Sequence, residues 1–497
     1  MMLLEMAASG GGDRVAVGTR ANGLSYQGLY DRSGALASLL AGESIEHLAM
    51  LDISSEALPV SLFGSAWAGV PFVPLNYRLQ PNEIQALAER VTPAAIVVND
   101  DTESVVAAVA DLKVLPRQRL LTATDEGEVP EPTWSMDPED IAILLFTSGT
   151  TGTPKAAVLR HKHLVSYIIT SVEFMGAGDD EATLVSVPPY HIAGMAAICS
   201  SVYAGRRIVQ LPQFDADAWI DLARSEEVTH SMVVPTMLSR IVERLDARGD
   251  GGIPSLRALS YGGGKMPLPV ITRALELLPE TNFVNAYGLT ETSSTIAVLG
   301  PDDHREALVS NDEAVRRRLT SVGQPLPMLE VSIRDEVGAE VAMGESGEIW
   351  VRGEQVSGEY VGRDSRVTAE GWFPTNDGGS FDADGYLYVE GRLDDVIIRG
   401  GENISPGEIE DVLLAHDSVR DVAVIGVPDE QWGEQIAAVV VTADGASVDV
   451  DALAAYAREH LRSSRTPSRI EVVDELPYNE TGKLLRRVLR DQLTAWI

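Results

Sequence analysis

Ile141–Lys155 reads IAILLFTSGTTGTPK. An uncharged apolar run passes straight into a segment rich in glycine, proline and hydroxyl groups. The first part suits a buried parallel strand. The second suits neither helix nor strand, because Gly, Pro, Ser and Thr weaken both. A loop beyond the carboxyl end of such a strand is where open α/β sheets place ligands. Hydroxyls, backbone N–H groups and Lys155 there would suit an anion. The spacing Gly149, Gly152, Lys155, with Pro154 before the lysine, fits neither the G-x-x-x-x-G-K-[ST] nor the G-x-G-x-x-G phosphate loop. A plain surface turn is the bland alternative, and the position after a buried strand weighs against it.

Outward from this loop the pattern is that of α/β layers. AAIVVND (Ala94–Asp100) reads as another buried parallel strand. Helix-spaced apolar residues over Leu159–Met175 predict the order strand, loop, helix. A second such unit is the strand LRALSY (Leu256–Tyr261), the turn Gly262–Gly264, the helix Leu268–Leu278 and the strand TNFVNAYG (Thr281–Gly288). Near residue 323 shorter, hairpin-linked strands begin, at SVGQPLPMLEVSIRD and GEIWVRG. After GRLDD (Gly391–Asp395) the order becomes helix, strand, strand, helix, strand. The expected fold class is therefore α/β. A large N-terminal part, 1–391, has layered parallel subdomains and a small β subdomain at about 323–391. A small α+β part, 392–497, follows a joint at GRLDD.

Composition narrows the function. The 497 residues carry 39 Lys and Arg against 74 Asp and Glu, a formal net charge of −35. That balance argues against a nucleic-acid surface. It does not argue against nucleotide binding, since surface charge is screened beyond about 8 Å at physiological salt. The single cysteine, Cys199, excludes an intrachain disulfide and reads as a buried structural thiol rather than a nucleophile. The opening MMLLEMAASGGGDR has no basic leader and is interrupted by Glu5, so no signal peptide is expected. No uncharged apolar run is long enough to span a bilayer, and a cytoplasmic location is the expectation.

Five segments then decide the class. LLFTSGTTGTPK, AYGLTE (Ala286–Glu291), GWFPTND (Gly371–Asp377), GRLDDVIIRGGENISP (Gly391–Pro406) and LPYNETGKLLRR (Leu476–Arg487) occur in that order. Together they resemble the core motifs of the adenylate-forming superfamily: acyl-CoA synthetases, luciferases and the adenylation domains of peptide synthetases. The resemblance covers roughly the whole chain, and GGENISP and PYNETGK look most like acyl- and aryl-CoA ligases. It implies a reaction in two halves. A carboxylic acid and ATP give acyl-AMP and pyrophosphate; coenzyme A then takes the acyl group as a thioester.

The same resemblance assigns residues. Thr147, Ser148, Gly149, Thr150, Thr151 and Lys155 would hold the β- and γ-phosphates. Thr290 would contact the α-phosphate and Glu291 would hold Mg²⁺, since an acid beside phosphate needs a bridging cation. Gly263, Gly264, Lys265 and Tyr287 would line the nucleotide, with Tyr287 against the adenine. Asp377 and Arg392 would hold the ribose hydroxyls. Lys483 would enter the site only for adenylation. A cation about 4 Å from an anion is worth ~4 kcal/mol at an effective dielectric near 20, close to a thousandfold in rate. Asp394 would be the hinge about which the C-terminal part turns, carrying Lys483 away and bringing Arg399, Gly400 and Gly401 to the site for CoA. His191 in VPPYHIAG, with Val233, Val234, Pro235, Gly262 and Leu289, would line the acyl pocket. Taken one at a time, several of these residues read equally well as core packing or surface charge.

Two positions depart from the family's pattern. Lys265 stands where proline is usual and Asn376 where glycine is usual. They keep open an enzyme weak in adenylation and specialised for the second half-reaction. A stand-alone protein that loads a separate carrier protein is a further alternative, and a non-catalytic AMP-binding protein a remote one. The acid reads as bulky and apolar (fatty, alicyclic, aromatic or polycyclic), because Met195, Met232 and Met237 adapt to irregular shapes. Core packing explains the same methionines.

Overall fold

A computed structural model describes residues 1–147, 154–249, 251–429, 431–443, 449–478 and 484–494. Four sheets form among them. The apolar runs become strands because β-branched and large apolar side chains can be buried on both faces of a parallel sheet covered by helices. In the six-stranded sheet, Leu112–Pro116, Ala94–Val98, His47–Leu51, Phe72–Pro74 and Ile141–Thr147 run parallel in that spatial order. The last neighbour is Lys155–Arg160, which pairs antiparallel with Ile141–Thr147. The expected order strand, loop, helix is thus corrected: a second strand, Lys155–Arg160, precedes the helix, which is His161–Ser171. KAAVLR buries its four central residues between the neighbouring strand and residues 359–361, a partner that local spacing cannot show.

The nine-stranded sheet contains the second unit as read. Ala258–Gly262 and Asn282–Tyr287 are parallel neighbours, flanked on the other side by His230–Val233. The two large sheets share one core, in which Leu48 and Met50 of the first meet Val185 and Ile208 of the second through Met195, Ile198 and Val202. Trp219, Leu238, Ile271 and Phe283 cover the opposite face of the nine-stranded sheet. The N-terminal segment, unassigned from sequence, is a helix, Met2–Gly11, whose Leu3, Leu4, Ala7 and Ala8 join the shared core. Cys199 lies in that core, where burial pushes its thiol up to about 11.

The third sheet is antiparallel: Glu330–Arg334, Gly347–Arg352, Phe373–Phe381 and Leu387–Arg392. Beyond it, a short turn at Leu393–Asp395 leads into the C-terminal sheet, built on the long hairpin Val419–Asp429 and Gly433–Thr442. Two elements there were not read from sequence, the small hairpin Ile397–Arg399 with Glu402–Ile404 and the helix Arg486–Thr494. Among the described residues, no helix is long and apolar enough to cross a membrane.

One glycine fixes where the nine-stranded sheet can open a cleft. A Cβ on Gly262 would lie 2.1 Å from the carbonyl oxygen of Ala286 on the adjacent strand. The close approach lets the chain turn away at once through Gly263, whose φ is +83°. Gly262→Ala forces these strand ends apart. Overpacking of this kind costs about 1–3 kcal/mol, and scanning calorimetry of the variant is expected to show a lowered unfolding midpoint.

Candidate active site

The carboxyl end of Asn282–Tyr287 delivers Tyr287 to the antiparallel sheet, where Asp377 and Arg392 are direct cross-strand partners. Tyr287 Oη donates to Asp377 Oδ2 at 2.7 Å, and Arg392 Nη1 donates to Oδ1 at 2.9 Å. Asp377 is only 4% exposed, so its charge needs donors of this kind. Burial, then the neighbouring carboxylate, pushes the Tyr287 hydroxyl well up, which keeps it a donor. Burial alone would lower Arg392, but Asp377 and Glu291 outweigh it and the guanidinium is held above its usual value. Arg392 Nε is buried and makes no hydrogen bond among the described residues. A buried N–H with no acceptor beside a gripped carboxylate suits a ligand bearing hydroxyl groups.

A second cluster forms where the strand Lys155–Arg160 meets the turn after Tyr287. Tyr360 donates a short hydrogen bond to Glu291 Oε1, and Lys155 Nζ lies 5.8 Å from the centre of the Tyr360 ring. Burial, then Glu291, raises the Tyr360 hydroxyl, so it too stays protonated. Backbone bonds hold the join: Ser357 N to Glu291 O at 2.7 Å, Val158 N to Glu359 O at 2.9 Å and Val361 N to Ala156 O at 3.0 Å. Sequence reasoning missed Tyr360. Its context, SGEYVG, shows a tyrosine between glycines, and nothing local links it to residue 291.

Thr147 and Lys155 face each other across the antiparallel pair, with Thr147 Oγ1 3.4 Å from Lys155 O. Ser148, Gly149, Thr150 and Thr151 between them, and Lys483, lie outside the described residues. The segment that carries Lys483 is flanked by a bridge between Tyr478 and Leu484. Thr290 and Glu291 sit half-buried in the single turn Thr290–Thr292. Gly263 and Gly264 are exposed. Lys265 follows them, but its Nζ reaches Asp411 Oδ1 at 2.6 Å.

Of the residues assigned to the acyl pocket, Val233 and Gly262 end the neighbouring parallel strands His230–Val233 and Ala258–Gly262, and Val234 and Pro235 follow at once. Val233 is in register with Tyr261, and a Cβ on Gly263 would lie 3.7 Å from Val234. Pro235 opens the next helix. His191 caps the helix Ile192–Ala204, and its ring lies against Tyr190, which meets Tyr77 edge-on at 5.5 Å. Burial, with a smaller contribution from Arg78, pushes His191 down to about 4, and its Nε2 has no partner among the described residues. Leu289 packs against Ile296, Val351 and Phe373. Met195 and Met237 are core residues, so of the three methionines only Met232 is partly exposed. The residues assigned to CoA are not brought to these clusters. Arg399 donates to Ser464 O, and Gly400 N bonds Trp432 O.

A family model for AMP-binding enzymes matches residues 4–361, and one for the AMP-binding enzyme C-terminal domain matches 408–483. The chain belongs to the AMP-binding enzyme family. It is 35% identical over 477 residues to a feruloyl-CoA synthase from an Amycolatopsis species, covering 94% of this chain and 93% of that one. It is 31% identical to a fatty acid–[acyl-carrier-protein] ligase of Streptomyces coeruleorubidus, covering 94% and 91%. Among solved structures, o-succinylbenzoate CoA synthetase of Bacillus subtilis with its acyl-adenylate superposes with a TM-score of 0.85 at 29% identity over 98% of both chains. The same synthetase with ATP and magnesium gives 0.83.

The residues fit a nucleotide and one magnesium ion. Asp377 and the unpartnered Arg392 Nε suit a ribose edge. Glu291 is a half-buried carboxylate that Tyr360 bonds, and no cluster of three metal-ligating side chains occurs among the described residues. That matches Mg²⁺, which takes one or two carboxylates and completes its shell with phosphates and water. Loss of a charge-assisted hydrogen bond costs about 1.5–3 kcal/mol. Asp377→Asn is therefore expected to weaken AMP binding about 10- to 100-fold by titration calorimetry.

Proposed function

We infer that this ATP-dependent acid–CoA ligase activates a carboxylic acid that carries an aromatic ring. The observation that carries the nucleotide half is the grip of Tyr287 and Arg392 on Asp377. The aromatic acid is supported by the ring wall of Tyr77, Tyr190 and His191 and by the similarity to a feruloyl-CoA synthase. Stacked and edge-on aromatic contacts add about 0.5–1.5 kcal/mol beyond area burial, which suits a flat substrate.

The chain's own groups divide the work. Asp377 accepts from the ribose hydroxyls and fixes the α-phosphate relative to the acid. Tyr287 keeps that carboxylate aimed and leaves its ring to the adenine. Glu291, aimed by Tyr360, would hold magnesium, which when bound neutralises charge on the phosphates. Thr147, Lys155 and the loop between them, with Thr290, would hold the phosphates of ATP. A carboxylate oxygen attacks the α-phosphorus, and the bond to the bridging oxygen breaks as pyrophosphate leaves with the electron pair. Lys483 would stabilise both reacting groups in this half alone. In the second half the CoA sulfur attacks the acyl carbon, the C–O bond breaks and AMP departs. The thiol proton goes to solvent or to the leaving phosphate. Asp394 would be the hinge between the two halves.

A carrier protein in place of CoA is the second reading, favoured by the similarity to the fatty acid–[acyl-carrier-protein] ligase. One experiment separates them. Ferulate, 2-succinylbenzoate and a series of fatty acids are offered with ATP, Mg²⁺ and either CoA or a holo-carrier, and AMP and thioester are read separately. The expected outcome is turnover of an aryl acid with CoA at a kcat/KM at least about tenfold above any fatty acid. Preference for a fatty acid and the carrier would overturn the reading.

Two variants probe the roles. Lys483→Ala is expected to abolish acyl-AMP formation by about a thousandfold while sparing thioester formation from supplied acyl-AMP. Equal loss in both halves would contradict the two-arrangement account. His191 titrates near 4, so it is neutral at physiological pH. His191→Phe is expected to leave the shape of the adenylation profile between about pH 6 and 8 unchanged, whatever it does to KM for the acid.

A further inference from the structure

Both residues that depart from the family's pattern bond residues of the C-terminal part, 392–497. Lys265 Nζ bonds Asp411 Oδ1 at 2.6 Å and Gly407 O at 3.2 Å, and both acceptors belong to the C-terminal helix Pro406–Leu414. Asn376 Nδ2 bonds Oδ2 of the hinge residue Asp394 at 2.8 Å. Asn376 has a φ of +64°, a backbone that asparagine adopts more readily than other non-glycine side chains. Its own N–H is held by Glu348 Oε1 at 2.9 Å, which fixes the side chain's origin on the antiparallel sheet. Between these two points Ser405 Oγ donates to Glu390 O at 2.8 Å, and a Cβ on Gly407 would lie 2.9 Å from that same oxygen. The start of the C-terminal helix is therefore seated on the large part of the molecule.

The seat fixes which arrangement is held. The hairpin assigned to CoA is open at its tip. Ile398 is 56% exposed, and a Cβ on Gly401 would have no atom within 4 Å. An arrangement that delivers the thiol must cover this hairpin tip. The one present does not.

We propose that Lys265 and Asn376 are positioning residues that form a two-point latch, holding the C-terminal part in the adenylating arrangement and slowing its release for the thioester half. The proposal rests on the two-arrangement reading given under Proposed function. Lys265 acts through Asp411 and Gly407 rather than on phosphate. Both partners of the ion pair are partly exposed, at 42% and 53%. A pair of that kind shifts a two-state ratio by about two- to five-fold and weakens with salt. The latch therefore biases an equilibrium without locking it.

The test uses the full chain with nitroxide labels on Val309→Cys and Asp417→Cys, exposed positions on either side of the joint. Distance distributions are recorded by pulsed electron resonance without ligand, with AMP, and with AMP and CoA. The expected result is one dominant distance in the unliganded protein. Lys265→Ala, Asp411→Ala and Asn376→Gly should each raise a second distance about two- to five-fold. The exchanged pair Lys265→Asp with Asp411→Lys should restore the first. Raised salt should mimic Lys265→Ala in the parent and add little in that variant. If the parent shows two distances and no variant changes their ratio, the latch is wrong and the two arrangements stand. If one distance persists in every variant and ligand state, both the latch and the two-arrangement reading fail.

Discussion

The site depends on a buried carboxylate that cannot be satisfied by any one part of the fold. Asp377 lies on an inner strand of the antiparallel sheet; Tyr287 reaches it from the nine-stranded sheet and Arg392 from the end of the adjacent strand Leu387–Arg392. A pair buried this deeply is weak evidence for stability, because desolvation offsets much of the attraction. Removing either donor would leave an uncompensated charge, so the three elements are tied to one geometry. That geometry sets Arg392, and hence the turn Leu393–Asp395 that follows it, relative to Tyr287.

Glu291 repeats the device. In both clusters a tyrosine hydroxyl, raised well above its ordinary ionisation by burial, donates to a carboxylate. A tyrosine orients the acid without neutralising it, as a second arginine or lysine would. It also occupies only part of the carboxylate's acceptor capacity. On the reading proposed above, that leaves Glu291 able to accept a cation. The contrast at Asp377, where an arginine is added, follows from depth: Asp377 is buried, whereas Glu291 is only half-buried and needs less compensation.

Much of the fold was legible because burial leaves a local signature. AAIVVND and TNFVNAYG declare themselves by apolar runs between turn residues, and their parallel pairing follows from the helices between them. KAAVLR did not, because a short apolar run reads equally well as the start of a helix until its antiparallel partner is known. Tyr287, Glu291, Asp377 and Arg392 could be singled out through the resemblance, since they stand in recurring local contexts, and the structure sets Tyr287 and Arg392 together on Asp377. Tyr360 could not, because its role exists only through Glu291, 69 residues away. Lys265 and Asn376 were visible as departures while their meaning was hidden. Lys265 is separated from Gly407 by 142 residues, and nothing near either one signals the other.

Those two departures also show why weak contacts suit their position. A catalytic grip such as that on Asp377 must be strong and permanent, so it is buried. A contact that has to break once per turnover must be worth little, or its release would dominate the cycle. Exposed ion pairs and single side-chain hydrogen bonds lie in that range. Placed on the Pro406–Leu414 helix and on Asp394, they do not touch the clusters around Asp377 and Glu291. What they alter is the fraction of time the C-terminal part spends seated. Proline and glycine at these positions would offer no side-chain donor at all, so the substitutions add a bias to the joint while leaving the carboxylates and their tyrosines intact.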